Sequence, residues 1–179
     1  MIIPPQTSSI ASHLPKALGT AFSITRAKEL GLTSPLGSDS IILCSFGDAS
    51  INHAAAQAAI NSCSWIGKQK YPLPLVFICE DNGIGISVPT PADWVESCIK
   101  ARPHIHYIAC DGLNIADCYQ KALEAEHIAR TKKQAIFLHM RCVRLLGHAG
   151  SDIESQYQQQ SEIEHREAND PLLHLSLIH

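Results

Sequence analysis

The sequence predicts an α/β fold, doubly wound, with a mostly parallel sheet that carries helices on both faces. Three observations lead there. Short apolar runs recur at 41–46, 73–79, 105–110 and 135–142, each about the length of a buried strand. Longer stretches of helical composition lie between them, and alternating strand and helix is the pattern of parallel strands joined by crossovers. Two of the runs end in polar, glycine-bearing turns, FGDAS and CEDNGIGIS. Ligands of open α/β sheets gather at such strand ends.

Taken in order, residues 14–30 read as a helix opened by Ser12 or His13. Pro15 falls in its first turn and Gly31 just past its end. Residues 41–46 form a buried strand ending at Gly47, and 52–66, rich in Ala and Ile, form a helix. The strand at 73–79 runs into a turn over 80–85. A helix at 92–101, a strand at 105–110, a helix at 115–131 and a strand at 135–142 complete the pattern. Beyond Asp152 the chain turns polar and charged, then apolar again in PLLHLSLIH. This divides it into an α/β domain over 1–152 and a polar loop with a helical tail over 153–179. The apolar end needs something to pack against. No internal repeat is apparent.

Composition excludes several function classes. The 179 residues are 45% hydrophobic, enough for one domain with a core. Net charge is −3 and the Lys and Arg residues are scattered, which argues against nucleic acid or an anionic membrane as partner. No apolar run approaches the ~18–20 residues that span a bilayer. The N-terminus has two early prolines and no basic start, so it does not read as a signal peptide. A soluble, cytoplasmic protein is expected. Seven cysteines include no zinc-type pair, and Cys44 and Cys79 sit inside apolar runs. They read as small buried hydrophobes in a reducing compartment. Of ten histidines, only His148 lies in a context that suggests chemistry. The others read as surface or packing residues.

The strand ends carry the candidate chemistry. The first gives Gly47, Asp48, Ala49 and Ser50 ahead of a helix start. Small residues there let backbone N–H groups approach a phosphate, and a helix N-terminus adds partial positive charge. The second gives Asn82 and a carbonyl-bearing turn through Gly83 and Gly85. A carboxylate, an amide oxygen and a main-chain carbonyl make a hard oxygen set. With two phosphate oxygens and a water, they suit octahedral Mg²⁺. The G-x-G-x-x-G spacing of a dinucleotide site is absent. After the last strand, Arg144 and His148 beside a glycine-bearing loop can donate to diphosphate oxygens. Each turn alone reads better as an ordinary strand–loop connection, and Arg144 and His148 alone as solvated loop residues. The two turns together, each after a buried strand, favour a site.

Four motifs in one order, SHLPKALG, ILCSFGDASINHAAAQAAIN, PLVFICEDNGIGISVPTP and RLLGHAGSD, resemble the α portion of thiamine-diphosphate-dependent 2-oxoacid dehydrogenases. These are the decarboxylating first components of pyruvate and branched-chain 2-oxoacid dehydrogenase complexes. The wording is similar to bacterial members in which α-like and β-like parts are fused. The resemblance implies the diphosphate-binding domain of the thiamine-diphosphate fold, with thiamine diphosphate and Mg²⁺ as cofactors. It implies Asp48, Asn82 and the Ile84 main-chain oxygen as metal ligands. It also implies Gly47, Ala49 and Ser50 against the diphosphate, with Arg144 and His148 reaching it from the late loop. Ser8 and Ile10 fall where the family holds the aminopyrimidine. His148 is the nearest candidate for a catalytic residue, although its family role is mainly to hold phosphate. The implied partners are a β-like, pyrimidine-binding chain or domain and a lipoyl-bearing acyltransferase. Residues 149–157 match a flexible loop near the active-site mouth.

The sequence departs from the family pattern at several points. Ala49 replaces the second Gly of Gly-Asp-Gly, which requires φ below zero there. Asp81 replaces the first Asn of an Asn-Asn pair and brings a negative charge to a site meant for an anion. The stretch from Asp48 to Asn82 is a few residues longer than usual, and Ala58 stands where the family has Glu. A long segment ahead of SHLP and the β portion are lacking, so the chain reads as truncated and as half of a site. A truncated sheet leaves apolar surface, from which self-association is expected. Two other readings stay open: an inactive remnant serving as an assembly module, and an acetoin dehydrogenase-like subunit.

Overall fold

A computed structural model describes residues 2–176 of the chain. Helix α1 spans His13–Glu29, strand β1 Ile42–Gly47, α2 Ala54–Lys68 and β2 Leu75–Asp81. A short hairpin of β3 (Ile84–Gly85) and β4 (Val88–Pro89) follows. Then come α3 (Trp94–Lys100), β5 (His106–Asp111), α4 (Ile115–Thr131), β6 (Ile136–Arg141), α5 (Gln160–Ala168) and α6 (Pro171–Ser176). The four long strands form one parallel sheet in the order β1-β2-β6-β5.

Side chains alternate across each strand, so the sheet buries two faces. One face packs Cys44, Phe46, Leu75, Phe77 and Phe137 against α1, α2 and α3. Phe46 meets Phe77 and Phe137 edge-on, with ring centroids 6.2 and 5.9 Å apart. Ala56 and Ala59 let α2 lie close to the strands. The other face packs Val76, Ile108, Ile136 and Leu138 against Ala125, Ile128 and Ala129 of α4 alone. Helices on both faces of a parallel sheet are the doubly wound arrangement that the sequence predicts.

Helix α1 ends as its sequence asks. Gly31 takes φ +66°, its N–H bonds to Lys28 O, and Leu32 N–H bonds back to Ala27 O. That pair of bonds caps the last carbonyls of the helix. Three expectations need correcting. The expected helix at 52–66 begins at Ala54, because Asp48–Asn52 first forms a 3-10 turn. The strand expected from 73 begins at Leu75, since prolines 72 and 74 cannot donate to the ladder, and it continues through Glu80 and Asp81. The expected turn over 80–85 is therefore the end of β2 plus a hairpin. The tail is a 3-10 turn at Glu154–Gln156 followed by α5 and α6. The last three residues of PLLHLSLIH lie outside the described residues.

Candidate functional site

Strands β1 and β2 are adjacent and parallel, with Gly47 paired to Glu80, so their carboxyl ends open side by side. The chain leaving β1 carries Asp48 at the start of the 3-10 turn, and the chain leaving β2 carries Asn82 one residue past the strand. The two turns touch. A Cβ placed on Gly85 would stand 2.7 Å from Ala49 Cβ, so only glycine fits at this approach. Ala49 is not among the residues with positive φ, which meets the condition for replacing glycine.

Asp48 is buried to 2% exposure. Its Oδ2 accepts the Thr90 hydroxyl at 2.5 Å. Burial pushes its carboxyl above the ordinary range and the Asp81 charge adds to this, while Thr90 and the Asn82 backbone amide oppose it. A cation bound beside such a carboxylate would hold it ionised. Asn82 Oδ1 accepts the Ile84 N–H at 3.1 Å, an Asx turn that presents the oxygen and the following backbone together. Ile84 itself is buried. Asp48, Asn82 and Ile84 are thus brought together. No group of three His, Cys, Asp or Glu among the described residues could hold a metal, so this mixed oxygen set is the candidate.

Gly47 and Ser50 are half-buried and Ala49 is exposed, all three on the Asp48 turn. The late-loop residues are placed differently from one another. Arg144 is drawn toward the hairpin, where its Nη1 donates to Ile86 O at 2.7 Å. Its Nη2 donates to Glu154 Oε1 at 3.1 Å and to Tyr157 Oη at 2.9 Å. Arg166 of α5 also pairs with Glu154. The side chains of Arg144, Glu154 and Arg166 are 12%, 13% and 16% exposed, so the tail is pinned by a nearly buried Arg–Glu–Arg cluster. His148 is exposed, and its backbone N–H donates to Asp152 Oδ2 at 2.7 Å. Tyr157 Oη donates to the same carboxylate oxygen, and these two bonds hold Asp152 below the usual carboxylate range. A cleft of about 470 Å³ opens between Asn82, Ile84 and Pro89 on one side and Tyr157, His165 and Arg166 on the other. Ser8 and Ile10 are exposed just ahead of α1, and His13 there bonds to Ser45 O near the end of β1.

Sequence reasoning missed two participants. Thr90 reaches Asp48 from the far side of the hairpin. His139, read as a packing residue, is 1% exposed and bonds both Tyr107 and Asp81. Either partner lies tens of residues away, and no local motif announces such contacts. The cysteines are free, and burial raises the thiols of Cys44, Cys63 and Cys110 to about 12 and of Cys142 to about 11. At neutral pH these four are protonated and inert.

The family profile described as "Dehydrogenase E1 component" matches residues 6–177. The mitochondrial 2-oxoisovalerate dehydrogenase subunit alpha of Mus musculus is 26% identical over 167 residues, covering 92% of this chain and 35% of that one. Subunit alpha 2 of Arabidopsis thaliana is 28% identical over 161 residues, covering 88% and 31%. The subunit alpha of Bacillus subtilis is 26% identical over 171 residues, covering 93% and 47%. The chain therefore spans 31% to 47% of these relatives' lengths. Among solved structures, transketolases from Campylobacter jejuni (TM-score 0.56, 20% identity) and Leishmania mexicana (TM-score 0.59, 15% identity) share the fold. Each of the two aligns over 75% of this chain and 20% of its own.

Proposed function

The chain belongs to the dehydrogenase E1 component family, and from that premise we propose that it is the diphosphate- and metal-binding part of a thiamine-diphosphate-dependent 2-oxoacid dehydrogenase. The observation that carries this reading is the buried Asp48 carboxylate set against the Asn82–Ile84 turn. Asp48, Asn82 Oδ1 and the Ile84 carbonyl are the hard oxygen donors that Mg²⁺ takes. Thr90 orients Asp48, and the small residues Gly47, Ala49 and Ser50 leave room for phosphate oxygens beside it. Arg144 and His148 would supply donors to the diphosphate from the late loop. Ser8 and Ile10 would hold the pyrimidine end of the cofactor. His148 is the nearest candidate in this chain for a catalytic residue, and its role would be mainly to hold phosphate.

When bound, thiamine diphosphate supplies the carbanion chemistry by which a 2-oxo acid loses CO₂ and its acyl group passes to a lipoyl arm. The names of the alpha-subunit relatives favour a branched-chain 2-oxo acid as substrate. A β-like, pyrimidine-binding chain completes the site, and a lipoyl-bearing acyltransferase receives the product.

A second reading has one observation in its favour. Glu154 already takes donors of Arg144 and Arg166, as in a folded module that assembles without holding cofactor. Melting the chain with and without thiamine diphosphate plus Mg²⁺ separates the two. A ligand that binds only the folded state adds ~2.7 kcal/mol at a hundred times its dissociation constant. The cofactor reading requires an upward shift that Asp48→Ala abolishes. No shift, alone or with a β-like partner added, sustains the assembly module instead.

A further inference from the structure

Asp81 stands immediately before Asn82 and raises the pressure on the neighbouring Asp48 carboxylate. At a site for a cation and a diphosphate, a second free carboxylate would compete for the first and repel the other. The sheet orients that carboxylate. The parallel register sets His139 of β6 opposite Cys79 of β2 and Ala109 of β5. Asp81 and Tyr107 then lie on the same face, two residues along on either side. His139 Nε2 stands 2.7 Å from Asp81 Oδ2, and its Nδ1 stands 2.7 Å from Tyr107 Oη. An ionised carboxylate only accepts, so Nε2 carries the proton and the Tyr107 hydroxyl serves Nδ1. Asp81 Oδ1 accepts the Gly83 N–H at 3.1 Å, and its carbonyl accepts the Cys142 N–H at 2.8 Å. Both carboxylate oxygens are therefore engaged within the chain.

We infer that His139, oriented by Tyr107, is a positioning residue that turns the Asp81 carboxylate toward β6, out of the cation's shell, and fixes the 82–84 turn through Gly83. The first half rests on the cofactor reading above; the second stands without it. Burial pushes the Tyr107 phenol up to about 12, so the hydroxyl retains the proton it donates to the ring. His139 is itself 1% exposed, so water does not replace either bond. Asp81 and the His139 ring that hydrogen-bonds it act as a pair.

Calorimetric titration of thiamine diphosphate in saturating Mg²⁺, with hydrogen exchange at the Gly83 amide, tests the inference on wild type, His139→Leu, His139→Gln and Asp81→Asn/His139→Leu. His139→Leu is expected to weaken cofactor binding at least tenfold and to speed Gly83 exchange at least tenfold. His139→Gln keeps a donor near the Nε2 position and should bind nearly as wild type. Removing the Asp81 charge should restore most of the affinity that His139→Leu loses. A double variant as weak as His139→Leu means simple packing and overturns the inference. If wild type binds no cofactor, the functional reading fails and Gly83 decides. Exchange accelerated by His139→Leu, beyond that of a distant core variant with equal loss of Tm, sustains the positioning role, and unchanged exchange overturns it. Should His139→Leu fail to fold, Tyr107→Phe, which deletes one hydroxyl, takes its place in the same scheme.

Discussion

At the scale of residues, Asp48 is decisive, because its burial is a cost to the metal-free chain. Its carboxyl is raised above 3.8, so the folded state binds a proton more readily than the unfolded one. Whatever stability this contributes is present below 3.8 and is lost as pH rises through the raised value. At pH 7 the metal-free chain therefore holds a charge it would be more stable without. Asp48→Asn is expected to melt higher than wild type at pH 7 without metal, yet to lose any gain from thiamine diphosphate and Mg²⁺. Thermal denaturation checks both, and a variant no more stable than wild type at pH 7 contradicts the burial argument. Asp48 and Asn82 were legible in the sequence because each follows a buried apolar run at a turn. Thr90 and His139 were not, since hairpin packing and sheet register bring them to partners 42 and 58 residues away.

At the scale of elements, apolar runs reported strands well because a parallel sheet buries both faces of its strands. The β3–β4 hairpin escaped notice for the opposite reason. Its strands have two residues each, and Ile86 occupies the left-handed region at φ +58° where such turns favour Gly or Asn. Arg144 helps hold that strained turn by donating to the Ile86 carbonyl. The tail depends on Glu154, which joins two guanidinium groups. Glu154→Gln removes the carboxylate that both share in a nearly buried setting, at an expected cost of about 3 kcal/mol. Urea denaturation should show that loss, and limited proteolysis should cut faster between residues 153 and 170. A variant as stable and as protected as wild type would mean that the Glu154 cluster does not hold the tail.

At the scale of the whole molecule, the two faces of the sheet are unequally covered. Helices α1, α2 and α3 pack one face, whereas α4 packs the other and leaves Leu43 of the edge strand exposed. Ile115, Tyr119 and Leu123 form a further exposed stripe along α4. These surfaces are the kind that a partner or a second copy covers. Light scattering is expected to give a mass above the 19.5 kDa of one chain, and a strictly monomeric mass would contradict this.

In the proposed site, the ends of β1 and β2 jointly hold a divalent cation through Asp48, Asn82 and Ile84. Replacing Mg²⁺ by paramagnetic Mn²⁺ in the presence of thiamine diphosphate tests it most directly by NMR. Amide signals of residues 47–50 and 82–85 should broaden together, and Asp48→Ala should restore them. Broadening confined to other acidic surfaces, or none at either turn, would contradict the claim.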